Sequence, residues 1–178
     1  MTRYVALLRA VNIGGGSSMV MADLREVFAG CGFDGVQTYI QSGNVVFGCS
    51  SAEEEVVADI RRGIADRWGR DVPVLVRSLP ELEAVIAANP YLDQQDDLTK
   101  LLVTFLDRAP TPETQDSLTS PAGETGTLTL VGREVFVHVP DGYGRSKLGN
   151  AFVEKRTGAL GTTRNWRSVL KLRDMAAA

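Results

Sequence analysis

The sequence predicts an α+β fold made of two subdomains, the first ferredoxin-like (β-α-β-β-α-β) and the second a smaller α+β unit packed beside it (β-α-β-β-α-α). Three observations carry this. Short apolar or alternating runs of strand length are interleaved with longer segments whose apolar residues recur at helical spacing. Each half contains one pair of strands joined by a short turn, the mark of a hairpin. An acidic stretch, Tyr91–Leu98 (YLDQQDDL), separates the two series. The boundaries read as 1–90, including a connecting helix, and 99–178.

Taken in order, RYVALLR at Arg3–Arg9 is a near-continuous apolar run that suits a buried central strand. A glycine-rich loop follows, then a helix with Leu24, Val27, Phe28 and Cys31 on one face. Gly32 is placed to stop it in the left-handed region, with Phe33 positioned for the apolar contact such caps carry. Val36–Ile40 and Val45–Phe47 read as strands joined by Gln41-Ser42-Gly43-Asn44. Ser50-x-x-Glu53 and Ser51-x-x-Glu54 both fit a capping box, and Val56, Ile60, Ile64 and Trp68 mark the buried stripe of the helix they open. Val72–Val76 is a strand whose Pro73 lacks an amide donor, which predicts a sheet edge. Ser78 and Glu81 cap a connecting helix that Asn89-Pro90 ends.

In the second half, Lys100–Leu106 is a strand and Thr111-Pro112 opens a helix. Thr127–Val131 and Glu134–Val139 form a hairpin over Gly132-Arg133. A loop at 142–144, a helix from about Ser146 to Thr157 and a last helix from about Thr163 to Met175 complete the reading, with a loose tail at Ala176–Ala178.

Composition narrows the function classes. The chain has 178 residues, 44% of them hydrophobic, and a formal net charge of −3. It has no apolar run of membrane-spanning length and no export signal in its first residues, so membrane partners are not expected and a cytoplasmic location is. Cys31 and Cys49 lack CxxC spacing and read as reduced thiols. The single histidine, His138, stands apart from any Cys/His cluster, so no metal site and no cofactor are expected. No GxSxG elbow, Walker loop or GxGxxG spacing is present. Catalytic residues are therefore left unassigned, and whether the protein is an enzyme stays open.

Charge is segregated. Residues 145–174 hold eight Lys/Arg against two Asp/Glu, whereas residues 49–144 hold eight basic and seventeen acidic residues. Two glycine-led junctions lie in the basic stretch, Gly144-Arg145-Ser146-Lys147 and Gly161-Thr162-Thr163-Arg164-Asn165. Read as helix starts, they place cations against the macrodipole, a placement that a bound anion would offset. The loop Asn12-Ile13-Gly14-Gly15-Gly16 leaves a strand and precedes a helix, where backbone amides attract anions. Turn chemistry explains Ser42, Gly43 and Asn44 but not Gln41.

Three blocks together resemble one family: Tyr4–Arg9 with Asn12–Gly15, Thr38–Phe47, and Gly144–Leu148 with Thr162–Trp166. The family is the bacterial domain of unknown function 1697, and the resemblance covers nearly the whole chain. It implies an α+β fold in two subdomains, the first ferredoxin-like, and it implies no activity, so no catalytic residue is carried over. The chain departs from the family pattern at Ala10, where glycine is usual, and at Ser17 and Ser18, in a loop often basic in relatives.

The expected site is a cleft between the subdomains that takes a small phosphorylated or nucleotide-like anion. Its ligand-binding residues are Arg9, Asn12, Gly14, Gly15, Gln41, Ser42, Asn44, Arg145, Ser146, Lys147, Thr163, Arg164 and Asn165. Two alternatives stand beside it. One is a nucleic-acid-binding module using the basic helices, with Trp166 or Tyr143 as stacking groups. The other is self-association of the basic segment with the acidic middle of a second copy, the oligomeric state being left open.

Overall fold

The computed structural model describes residues 1–12 and 18–178. The chain forms two compact units, Met1–Glu83 with Leu172–Ala178, and Ala84–Lys171. It is an α+β protein with two four-stranded antiparallel sheets and six α-helices among the described residues.

The first unit contains β1 (Thr2–Leu8), α1 (Met21–Gly30), β2 (Asp34–Tyr39), β3 (Asn44–Cys49), α2 (Glu53–Trp68) and β4 (Val74–Ser78). Its strand order is β2-β3-β1-β4. That is the split β-α-β arrangement, with β3 inserted between β2 and β1. The apolar run at the N-terminus accordingly lies centrally, and β4, which Pro73 marks, lies at an edge. Along β1, Tyr4, Ala6 and Leu8 pack with Leu24, Phe28, Val56, Ile60 and Ile64 of the two helices. Phe47 stacks on Phe33 at 4.7 Å and meets Phe28 edge-on at 5.3 Å. Such pairs add about 0.5–1.5 kcal/mol beyond their area.

Local signals behave as their chemistry dictates at several termini. Gly32 adopts φ 80°, and the Phe33 amide donates back to the Phe28 carbonyl at 3.4 Å, closing α1 with a left-handed stop. Glu81 accepts from both the amide (2.8 Å) and the hydroxyl (2.7 Å) of Ser78 at the start of α3 (Leu79–Ala88). The capping boxes proposed for α2 do not form: the helix starts at Glu53 with Ala52 as its N-cap and no side-chain cap bond. Ser51 stands one residue too early, and its amide meets the Cys49 sulfur instead. The C-terminal tail is not loose throughout, since Ala176 is buried and its carbonyl accepts from Arg3 Nε at 3.4 Å.

The second unit contains β5 (Leu101–Leu106), α4 (Pro112–Ser117), β6 (Thr127–Val131), β7 (Glu134–His138), α5 (Asn150–Thr157) and β8 (Gly161–Asn165), ordered β6-β7-β5-β8. Thr111 caps α4 and Pro112 is its first residue, as expected. Residues 161–165 differ from the reading above. They form an edge strand paired with β5 in the register Val103–Arg164 and Thr104–Thr163, and α6 begins only at Trp166 and runs to Ala177. The second unit therefore repeats the β-α-β-β-α-β order of the first. Helical propensity is weak in Gly161-Thr-Thr-Arg-Asn165, and β5 offers an unpaired edge to which β-branched threonines fit.

Candidate functional site

The predicted site residues fall into three groups. In the first unit the end of β1 meets the β2–β3 turn. The Leu8 amide donates to the Gly43 carbonyl and the Arg9 amide to the Pro73 carbonyl, both at 2.9 Å. Asn12 is held at φ 57°, and its side chain works in both directions. Nδ2 donates to the carbonyls of Met19 (2.9 Å) and Gln41 (2.8 Å), while Oδ1 accepts from the Met19 amide (2.6 Å). Asn44 is fully buried and donates to the Tyr39 carbonyl (3.1 Å) and the Ser42 hydroxyl (2.8 Å). Asn12, Gln41, Ser42 and Asn44 are thus brought together, with Arg9 on the adjoining strand end. Gln41 joins through its backbone carbonyl, and its exposed side chain is not what holds the turn. Gly14 and Gly15 lie outside the described residues.

The second group lies in the second unit. A groove of about 230 Å³ is lined by Gly123, Glu124, Thr125, Val139, Asp141, Gly142, Arg145, Ser146 and Lys147. Arg145, Ser146 and Lys147 do not begin a helix. Tyr143–Arg145 is a single 3-10 turn, and α5 starts five residues after Arg145, at Asn150. No helix macrodipole therefore opposes the cations at this junction, and what unites these residues is the groove wall. Glu124 organises that wall. One carboxylate oxygen accepts from the Gly126 amide (2.8 Å) and the other from the Lys147 amide (2.6 Å), and these bonds hold its carboxyl below the ordinary 4.5. The Lys147 ammonium points to the Ala122 carbonyl at 3.5 Å. Asp141 accepts from the Thr125 hydroxyl at 2.6 Å. Gly142, at φ 91°, has open space where a Cβ would stand.

The third group, Thr163, Arg164 and Asn165, is built into β8 and the start of α6. Arg164 is not at a helix N-terminus: it is a strand residue, 8% exposed, donating to the Thr162 hydroxyl (2.8 Å) and the Thr163 carbonyl (2.9 Å). Burial pushes its pKa down to about 10, so it remains charged at neutral pH. The Thr163 hydroxyl pairs with that of Thr104 at 2.8 Å. Asn165 Oδ1 accepts from the Ser168 amide at 2.9 Å, so Asn165, rather than Thr162 or Thr163, caps α6. Trp166 is 2% exposed and belongs to the core, as its phase with Val169 suggested.

Sequence reading passed over Glu124, Thr125 and Asp141. No local signal marks them, because Glu124 reaches the groove wall through the Lys147 amide, 23 residues along the chain, and Asp141 meets Thr125 across 16 residues. Among the described residues no group of three or more His, Cys, Asp or Glu is placed to hold a metal ion. His138 is half-buried on β7, its ring 5.8 Å from that of Tyr91 and its Nε2 3.2 Å from Gln95 Nε2. Burial raises the pKa of the Cys31 thiol, which makes it a poorer nucleophile. Among the described residues no helix is long and apolar enough to cross a membrane.

Fold and site describe an α+β protein of two split β-α-β units with a polar groove in the second. Residues 1–136 match the family described as "Protein of unknown function (DUF1697)", and the chain belongs to that family. No curated protein matches it. Among solved structures it is similar to a conserved bacterial protein, SP0830 from Streptococcus pneumoniae. The two are 23% identical with a TM-score of 0.75, over 98% of each chain. That likeness concerns the fold.

Proposed function

We propose that the protein binds a small phosphorylated metabolite through the groove of its second unit, with Arg145, Ser146 and Lys147 gripping the phosphoryl group. The observation that carries this reading is the wall itself. Two cations and a hydroxyl from three consecutive residues line a 230 Å³ groove together with open glycine backbone. Among the described residues Arg145 is exposed and makes no ion pair, so its guanidinium is available to a ligand. Guanidinium and ammonium groups are the usual partners of phosphate.

The groove is not purely cationic, and that shapes the ligand. Glu124 and Asp141 balance the two cations, so a bare dianion gains little from the net field. A ligand carrying both a phosphoryl group and hydroxyl or amine donors suits it better, the donors facing Asp141. The volume lies below the roughly 300–1,000 Å³ of pockets for drug-sized ligands. A phosphorylated compound of a few carbons is thus favoured over a whole nucleotide. Thr163, Arg164 and Asn165 are left out of this grip, since their side chains serve the sheet and the cap of α6.

The test is a thermal-shift and calorimetric screen with phosphorylated sugars, amines and nucleotides. Arg145→Ala is expected to weaken binding of the best ligand by about 10- to 100-fold, the value of one charge-assisted contact. Lys147→Ala is expected to act in the same direction. If no compound raises the melting temperature, or both variants bind as the parent does, the reading fails. A steep inverse dependence of RNA affinity on salt, lost in the same variants, would replace it with nucleic-acid binding.

A further inference from the structure

Among the described residues the two sheets end in four edge strands, β2, β4, β6 and β8, and these are finished differently. β4 is buried at Val74, Leu75, Val76 and Arg77, and β8 at Gly161, Thr162 and Arg164. Side chains occupy the carbonyls beside β6: that of Leu130 accepts from Gln115 Nε2 at 3.4 Å, and that of Gly126 from the Ser120 hydroxyl at 2.8 Å. β2 is left open. Asp34, Gly35 and Gln37 are exposed, and Val36, Thr38 and Tyr39 are half-buried. The strand carries no lysine or proline, residues that commonly blunt such an edge. A bulge between Asp34 and Gln37 twists its start, and from Gln37 to Tyr39 its ladder with β3 is regular.

The alternation of hydrogen bonds shows which groups of β2 face outward. The Leu8 amide donates to the Gly43 carbonyl, so Gly43 faces β1. Successive residues of a strand point to opposite sides, so Asn44 and Val46 face β2, where they pair with Tyr39 and Gln37. Thr38 therefore turns its amide and carbonyl outward, and so does Val36, the next residue back on that side. Beside them runs a groove of about 530 Å³, lined by Ala22, Arg25, Glu26 and Ala29 of α1 and by Asp34 and Val36. Ala22 and Ala29, seven residues apart on one side of the helix, are exposed and present little bulk.

Charge points to the occupant. At the end of the strand Arg25 Nη1 donates to the Thr38 hydroxyl at 2.6 Å. At its start the Asp34 carboxylate is exposed and makes no ion pair among the described residues. The edge is thus basic at one end and acidic at the other, which is the pattern that an antiparallel copy of itself complements. A twofold axis at Gln37 sets Val36 of each copy opposite Thr38 of the other, and each such pair exchanges N–H···O bonds. The same axis carries Arg25 toward the partner's Asp34, and it brings the two α1 helices side by side on one face of the joined sheet, where Ala22 and Ala29 leave room.

We propose that β2 is a self-association edge, through which two copies of the chain join antiparallel into a dimer with a continuous sheet, its register fixed by Val36–Thr38 pairs and its direction by Arg25 and Asp34. This surface belongs to the first unit and is independent of the groove in the second.

A short strand pairing lies at the small end of interface sizes, so the dimer is read over a wide range of concentration. In sedimentation velocity and light scattering of the whole protein, from about 10 µM to about 1 mM, a dimer is expected to form as concentration rises and to weaken with added sodium chloride. Arg25→Glu is expected to weaken it roughly 10-fold or more, and the exchange Arg25→Glu/Asp34→Arg to restore it. Amide hydrogen exchange reads the register. The Val36 and Thr38 amides are expected to slow as the dimer forms, while those of Gln37 and Tyr39, already turned to β3, hold their rates. Should Arg25→Glu not fold, the salt dependence and the Thr38 amide decide. A protein that stays monomeric throughout, a dimer indifferent to Arg25→Glu, or one whose Thr38 amide exchanges as fast as in the monomer overturns the proposal.

Discussion

Single residues carry much of the geometry at the end of β1. Ala10 is exposed and held at φ 54°, a conformation that costs an L-residue about 1–2 kcal/mol. Glycine at this position relieves that strain while giving back some unfolded-state entropy. Ala10→Gly is therefore expected to stabilise the protein by up to about 1 kcal/mol in urea unfolding. Gly43 shows the converse. It sits at φ 75°, and a Cβ there would lie 2.5 Å from Val11 Cγ2 and 2.8 Å from Leu8 Cβ. Gly43→Ala is expected to cost about 2 kcal/mol or more, read as a lower urea midpoint at unchanged m-value. Asn165→Ala, which removes the cap of α6, is expected to cost about 1 kcal/mol, with Asn165→Ser recovering most of it.

Among the elements, the loop that walls the groove carries its own response to pH. The amides of Lys147 and Gly126 hold the Glu124 carboxyl below its ordinary value, so the folded state prefers the carboxylate more than the unfolded state does. The stabilisation is complete above the ordinary 4.5 and is lost as pH falls through the lower folded value. Amide resonances of Lys147 and Gly126 are expected to titrate together below pH 4.5, and Glu124→Gln is expected to abolish that titration. Ligand affinity in the groove should fall over the same window. Elements with local signals were legible. The left-handed stop at Gly32, the Ser78–Glu81 cap and Thr111-Pro112 all depend on residues within a few positions of one another. The start of α2 was misread by one residue because two overlapping Ser-x-x-Glu patterns compete there, and neither serine reaches the N-cap.

At the scale of the molecule, the two units share one strand order although they share no obvious repeat in sequence. The chain returns at its end to the first unit, where Leu172 and Ala176 are buried. Truncation after Lys171 is expected to destabilise the protein by about 2 kcal/mol or more, from the lost burial of Leu172 alone, and to lower its melting temperature accordingly. A truncated protein that melts like the parent would show that these residues add nothing. Charge segregation, conspicuous in the sequence, is spread differently in space. Of the basic stretch, Arg145 and Lys147 face the groove, while Arg164 is withdrawn into the β8 edge of the sheet.

The α+β class, most helices and strands, the edge position marked by Pro73, and the polar character of Asn12, Gln41–Asn44 and Arg145–Lys147 are all written in the chain. Those features follow from local periodicity and turn chemistry, which neighbouring residues encode. Residues 161–165 become a strand only in the folded context, because their partner is β5, about 60 residues earlier, and an open sheet edge outweighs weak local preference. The folded context likewise decides the fate of the charges. Whether an arginine is paired, buried or exposed depends on which distant groups the fold brings within reach. Arg145 and Arg164 look alike in sequence and differ only there.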